Sequence, residues 1–201
     1  MKSTLVLASA SPRRRELLER VGYRVVIRPP EIDESMQPDA TPLAYVAQMA
    51  YAKARAISRQ PGEWVIAADT IVVLDEEVLH KVESACEADV MLRKLAGRTH
   101  RVSTAFAILG EREGVVVTHQ ECVGTDVELQ ALDEAVLADY LACGEWKGKA
   151  GSYAIQGIGA ALVRGIHGSV TNVIGLPLFE VLAALRQLGG PRPAFTLGVS
   201  S

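Results

Sequence analysis

Strands and helices alternate along this chain, and that alternation restricts it to an α/β architecture. Thr4-Leu5-Val6-Leu7-Ala8 is the short apolar run of a buried strand. Pro12 suits the first position of a helix that passes through Glu16-Leu17-Leu18-Glu19 to a stop at Gly22. Tyr23 to Ile27 reads as a second strand, and Pro29-Pro30-Glu31-Ile32-Asp33-Glu34-Ser35 as a loop. Thr41-Pro42 supplies a cap and a first-position proline for a helix to about Ser58. Trp64 to Ala68 is a buried strand, and Thr70 to Leu74 carries its apolar run past one carboxylate, Asp69. Ser84-Ala85-Cys86-Glu87 has the form of a capping box, opening a helix to about Leu95 that Gly97 closes. Val102–Leu109 and Val115–Val127 read as longer strands joined in a hairpin around Gly110–Gly114. A helix over Asp133–Ala142 ends at Gly144. Strand candidates follow at Ala160–Val163 and Asn172–Pro177 in a glycine-rich passage, then a last helix over Leu178–Leu188. The tail, residues 190–201, reads as frayed. With no repeat, linker or boundary between them, residues 1–201 are expected to form one domain with two lobes.

Composition narrows the classes of partner. A hydrophobic fraction of 49% and a charged fraction of 22% belong to a globular chain. The net charge of −3 provides no global field toward nucleic acid or anionic membrane. There is no basic, aromatic-interleaved stretch of the kind that binds nucleic acid strands. No segment reaches the ~20 apolar residues of a membrane span. Cys86, Cys122 and Cys143 have no metal-ligand or redox spacing, and an odd count cannot pair fully. Reduced thiols in a cytoplasmic protein are expected. The start, Met1-Lys2-Ser3, leads into a strand whose apolar run ends at three arginines, unlike a signal peptide.

Two features carry chemistry. Ser9-Ala10-Ser11-Pro12-Arg13-Arg14-Arg15 places two hydroxyls and three guanidinium groups at the junction of strand and helix. Each exposed cation at a helix start costs roughly 0.3–1 kcal/mol against the backbone dipole. Arg15 has Glu19 four residues on as a partner. Arg13 and Arg14 have Leu17 and Leu18 at that spacing, so a bound anion would resolve the conflict. The second feature is Asp69 itself, a carboxylate within an apolar strand. Burying it is costly without a partner, a metal ion or a water to activate. Lys53, Lys81 and Glu34, taken singly, read as solvated charges. Gln156 lies in a glycine-rich segment where backbone approaches a ligand closely and an amide can read a base edge.

These residues together resemble the Maf nucleotide pyrophosphatases. The matching elements stand in the family's order along nearly the whole chain: Leu7-Ala8-Ser9-Ala10-Ser11-Pro12-Arg13-Arg14, Ile32-Asp33-Glu34, Lys53-Ala54, Ala68-Asp69-Thr70, Lys81, Gly97-Arg98-Thr99-His100, Gly148–Gly157 and Asn172–Pro177. The resemblance implies an α/β fold of Maf/Ham1 type, a twisted mixed sheet with flanking helices and two lobes around a central cleft. It implies hydrolysis of a nucleoside triphosphate to the monophosphate and pyrophosphate, with a divalent metal, Mg or Mn. Carried over position by position, Asp69 is the proton acceptor, assisted by Lys81 and Glu34. Ser9, Arg14 and Lys53 hold phosphates, and Asp69 and Glu34 face the metal. Arg13, Thr70 and Gln156 match the members that prefer dTTP and UTP, and modified pyrimidine nucleotides belong to the same chemical range. The sequence departs from the family's Gly-Lys-Pro pattern, having His80-Lys81-Val82, which makes a less rigid loop. Family members are often dimers, so a homodimer is within expectation. Two other classes stay open at this stage: a nucleotide-binding regulator of cell division or septum formation with little turnover, and a transferase using an acceptor other than water.

Overall fold

The first strand, β1 (Thr4–Leu7), is the pivot of the structure, because parallel neighbours flank it on both sides. The computed structural model describes residues 4–33 and 41–194. Helix α1 (Pro12–Arg20) follows β1 and leads to β2 (Val25–Ile27), which pairs with β1 through Leu5↔Val25 and Leu7↔Ile27. Gly22, at φ +86°, ends α1: its own amide turns back to the Glu19 carbonyl, and the Tyr23 amide reaches the Leu18 carbonyl. That closure uses Tyr23, which explains why β2 begins at Val25 and not at Tyr23 as expected. Helix α2 (Pro42–Arg55) is capped by the Thr41 hydroxyl, which accepts from the Ala44 amide at 3.2 Å. Strand β3 (Glu63–Leu74) then pairs with the other side of β1, through Thr4↔Glu63 and Leu7↔Ile66.

The sheet among the described residues has the order β2-β1-β3-β5-β6-β7, with β4 on β3. Strand β4 (Glu77–Leu79) makes a tight hairpin with the end of β3, turning at Asp75 with φ +55°. The sequence reading missed this three-residue strand. Helix α3 (Ala85–Leu95) has the expected capping box: Ser84 Oγ accepts from the Glu87 amide, and the Glu87 carboxylate accepts from the Ser84 amide. Strands β5 (Thr99–Arg112) and β6 (Val115–Leu129) form the expected hairpin. Its corner is two residues with positive φ, Glu113 and Gly114, as a twisted two-residue turn requires. Helix α4 (Glu134–Cys143) starts at the Asp133 cap and stops at Gly144, which has φ +70°.

Two expectations in the glycine-rich passage are corrected. Ala160–Val163 is not a strand; residues Ile158–Leu162 form a 3₁₀ turn, and strand β7 runs from Val163 to His167 instead. Side-chain capping of the Ile158 and Gly159 amides by the Glu145 carboxylate sets that turn, which an apolar-run reading cannot see. Asn172–Pro177 is not a strand either, because Val170–Ile174 is a short helix, α5. The Ser169 hydroxyl accepts from the Asn172 amide, and the Asn172 side chain is buried on the Val102 carbonyl and Thr125 hydroxyl. The last helix, α6 (Leu178–Leu188), has the expected bounds. The Gly190 amide donates to the Leu185 carbonyl and the Tyr23 hydroxyl to the Pro191 carbonyl. The rest of the tail expected to fray, from residue 195, lies outside the described residues.

The chain divides into two compact units. Among the described residues, the first comprises 4–33, 41–69, 104–123 and 175–194. Its core includes Leu5, Leu7, Leu18, Val46, Ile66, Phe106, Ile108 and Val181, all fully or nearly fully buried. Gly110 lies flat against Trp64, where an added Cβ would come within 2.3 Å of the indole. The second unit comprises residues 70–103 and 124–174. Leu79, Leu92, Leu95, Val127, Leu129, Leu137, Tyr140 and Trp146 belong to its core, with α3 packed on α4.

Candidate functional site

The topology of the first unit locates a site before any side chain is considered. The connection from β1 runs through α1 to β2 on one side; the next runs through α2 to β3 on the opposite side. Between β1 and β3 the winding therefore reverses. In parallel α/β sheets the crevice beyond the carboxyl ends of two such strands is where ligands bind. The Ala8 amide donates to the Ile66 carbonyl at 2.8 Å, so the two strands stay paired to the point where β1 ends. The segment leaving β1 there is Ser9-Ala10-Ser11, and β3 continues from Ile66 to Asp69.

Ser9 and Arg14 form one linked group. The Ser9 hydroxyl accepts from the Ser11 amide at 3.2 Å and from Arg14 Nη1 at 3.2 Å. Arg14 Nε donates to the Gly175 carbonyl at 2.8 Å. Gly175 sits at φ +120°, a conformation open to glycine, so a residue far along the chain fixes the guanidinium by a backbone contact. Sequence reasoning took Gly175 only as part of a family motif; nothing in its spacing announces a contact with Arg14. Ser11 adopts an extended conformation at the start of α1, and its side chain makes no capping bond. Arg15 pairs with Glu19 at 2.7 Å as expected, on the exposed face. Arg13 is half-buried, and that burial lowers its pKa from the usual arginine range, against a smaller opposing pull from Glu16.

Asp69 has the partner that its burial requires. Lys53, in the last turn of α2, donates from Nζ to Asp69 Oδ1 at 2.7 Å. The two side chains are only 9% and 15% exposed, so the pair is largely withdrawn from water. Taken singly in the sequence, Lys53 reads as a solvated lysine; the structure corrects this, because α2 buries it among Val46, Met49, Ala50 and Ala54. An isolated carboxylate and an isolated ammonium are each costly to bury, whereas the pair is tolerated.

Thr70 follows Asp69 on β3 and is half-buried. Lys81 is exposed and held through its backbone by an isolated antiparallel bridge to Ala150. Gln156 is exposed in the turn that precedes the 3₁₀ segment. Thr70, Lys81 and Gln156 all fall in the second unit. Glu34 lies outside the described residues. No group of three or more His, Cys, Asp or Glu side chains among the described residues could hold a metal ion unaided. Among the described residues no helix is long and apolar enough to cross a membrane.

Comparison with known proteins agrees with the family resemblance. A protein of Desulfotalea psychrophila named dTTP/UTP pyrophosphatase is 47% identical over 90% of this chain and 92% of its own length. Proteins of the same name from Myxococcus xanthus and Anaeromyxobacter dehalogenans are 46% and 47% identical, each over 96% of this chain and over 96% and 98% of their own. The Maf-like protein family itself matches residues 4–188, a span that begins with β1 and ends with the last residue of α6, and this chain belongs to that family.

Proposed function

We propose that this protein is a nucleoside triphosphate pyrophosphatase that hydrolyses dTTP and UTP to the monophosphate and pyrophosphate, a house-cleaning role in the nucleotide pool. The observation that carries the reading is the buried pair of Lys53 on α2 and Asp69 on β3, the strand beside the one whose exit holds Ser9 and Arg14. Full-length relatives bearing that enzyme's name support the choice of substrate. Phosphoryl transfer asks a protein for positioning and charge stabilisation more than for covalent chemistry. On this reading Ser9 and Arg14 bind the phosphates, with Arg14 aimed by the Gly175 carbonyl. Lys53 keeps the Asp69 carboxylate in place while offering positive charge to the same phosphates. Asp69 accepts the proton of the attacking water, and Lys81 offsets charge that develops on the leaving pyrophosphate. Arg13, Thr70 and Gln156 select the pyrimidine base.

Asp69, a largely buried carboxylate on β3, fits a divalent ion that would arrive with its substrate. Mg²⁺ is commonly held by one or two carboxylates together with substrate phosphates. Asp69 and Glu34 are the carboxylates that would hold it. Bound there, Mg²⁺ or Mn²⁺ supplies charge neutralisation and a more acidic water. The reading also takes the enzyme as cytoplasmic, and as the homodimer that the resemblance allows; sedimentation would read out the latter.

Pyrophosphate release from a panel of triphosphates, with and without Mg²⁺, tests the proposal. The expected result is metal-dependent turnover with dTTP and UTP preferred. Asp69→Asn, whose amide oxygen still accepts from Lys53, is expected to stay folded and to lose about 10²–10⁴-fold in kcat. Parental turnover in that variant overturns the role of Asp69. Binding without turnover of any triphosphate would instead favour a regulator.

A further inference from the structure

We propose that Glu145 is a positioning residue for base selection: its carboxylate clamps the turn that carries Gln156 and so fixes where that amide reaches the nucleobase. The inference rests on the reading of Gln156 as a base-reading group. Glu145 lies just after Gly144, the left-handed stop of α4, where an acid reads as an ordinary surface charge. In the structure its two oxygens are both committed to backbone. Oε1 accepts from the Ile158 amide at 3.0 Å, and Oε2 accepts from the Gly159 amide at 2.7 Å. The Tyr140 hydroxyl donates to the same Oε2 at 3.3 Å. Burial first, and the nearby Glu145 charge second, push the Tyr140 pKa up, so this hydroxyl remains a donor.

The glycines on either side show how closely the clamp fits. A Cβ at Gly157 would stand 1.8 Å from Glu145 Oε1. Gly157 has φ −122°, which any residue can adopt, so what excludes a side chain there is the carboxylate and not backbone strain. A Cβ at Gly159 would meet the Ala154 backbone at 2.8 Å and the Tyr140 hydroxyl at 3.0 Å. Gln156 is therefore the exposed residue leading into a turn whose Ile158 and Gly159 amides are held by charge-assisted hydrogen bonds to one carboxylate. Anchoring is what a glutamine reader needs. Its amide presents donor and acceptor in either order. The selectivity it confers therefore depends on the position from which it reaches the ring.

The test compares Gln156→Ala, Glu145→Ala and the double variant, reading KM, kcat and the ratio of kcat/KM for dTTP over dCTP, with thermal melts alongside. Each single variant is expected to raise the KM for dTTP about tenfold and to lower the dTTP preference, with kcat within about twofold of the parent. The double variant is expected to be no worse than Gln156→Ala alone, because both changes remove one interaction. A purely structural role for Glu145 would make the losses add, and that overturns the inference. Should Glu145→Ala not fold, Gly157→Ala displaces the carboxylate without removing it and carries the same comparison. If Gln156→Ala leaves the preference unchanged, the base-reading role falls and this inference with it. If Gln156→Ala lowers the preference while Glu145→Ala and Gly157→Ala preserve it, the clamp alone is refuted.

Discussion

The two units hold their candidate groups in opposite ways. In the first, Lys53 and Asp69 are buried and joined side chain to side chain, and Arg14 is bonded to Ser9 and Gly175. In the second, Lys81 and Gln156 are exposed, and the turn or bridge around each is held through the backbone. Charge withdrawn from water must be neutralised within the fold, so the first group is assembled before any ligand arrives. Exposed groups face no such requirement. The structure can fix their main chain and leave the side chain to water.

The largest effect that would break this comparison is on stability in the first unit. Lys53→Met strands the Asp69 carboxylate, and removing one partner of a buried ion pair typically costs about 3–5 kcal/mol. The double variant Lys53→Met/Asp69→Leu replaces both charges with apolar groups, and such exchanges are often neutral or stabilising. Denaturant unfolding should therefore rank parent and double variant close together, with Lys53→Met well below, while the proposed roles predict loss of turnover in both variants. A double variant as weak as the single one would show that the pair is not what governs stability at this point.

The same contrast explains what could be read from the chain beforehand. Asp69 stood out because a carboxylate in an apolar run violates the cost of burial, and Arg13 and Arg14 because cations oppose a helix dipole. The alternation of elements, the Ser84 capping box and the bounds of α6 were equally local, and they were legible. Lys53 was not, since a lysine on an amphipathic helix gives no sign that a strand residue sixteen positions on will hold it. The strand expected at Ala160–Val163 failed for the same reason, because the deciding bond comes from Glu145. Lys81 read as a solvated lysine, and Gln156 had only the weak signal of an amide in a glycine-rich segment. The resemblance gave both of them a role.

A smaller effect sharpens the picture of the second unit, where one buried polar pair joins a histidine to a tyrosine. His100 is 2% exposed, and its Nε2 shares a hydrogen bond of 2.8 Å with the Tyr153 hydroxyl. Burial lowers the histidine pKa from 6.5 to about 4, only partly opposed by Asp126. The unfolded chain thus takes up a proton near pH 6.5 that the folded protein refuses until about pH 4. Stability contributed by neutral His100 is full above the higher value and is lost as pH falls between the two, by roughly 3 kcal/mol in all. His100→Phe/Tyr153→Phe, which removes both polar partners together, should flatten the melting temperature across that window. A slope unchanged in the double variant would assign the acid sensitivity to other groups.

The smallest structural effect, and the one that most directly separates the two modes of holding, is expected at Lys81. Its side chain is exposed, and its tie to Ala150 is a backbone bridge that any residue can make. Lys81→Ala should therefore change stability by no more than about 0.5 kcal/mol, the usual range for surface substitutions. On the proposed reading Lys81 meets phosphate in the bound complex, so its loss should still lower kcat/KM, by about tenfold or more. Lys53→Met should lose stability and activity together, whereas Lys81→Ala should lose activity alone. If Lys81→Ala melts early, the lysine has structural partners beyond its backbone. If it keeps parental kcat/KM, the role proposed for Lys81 is overturned.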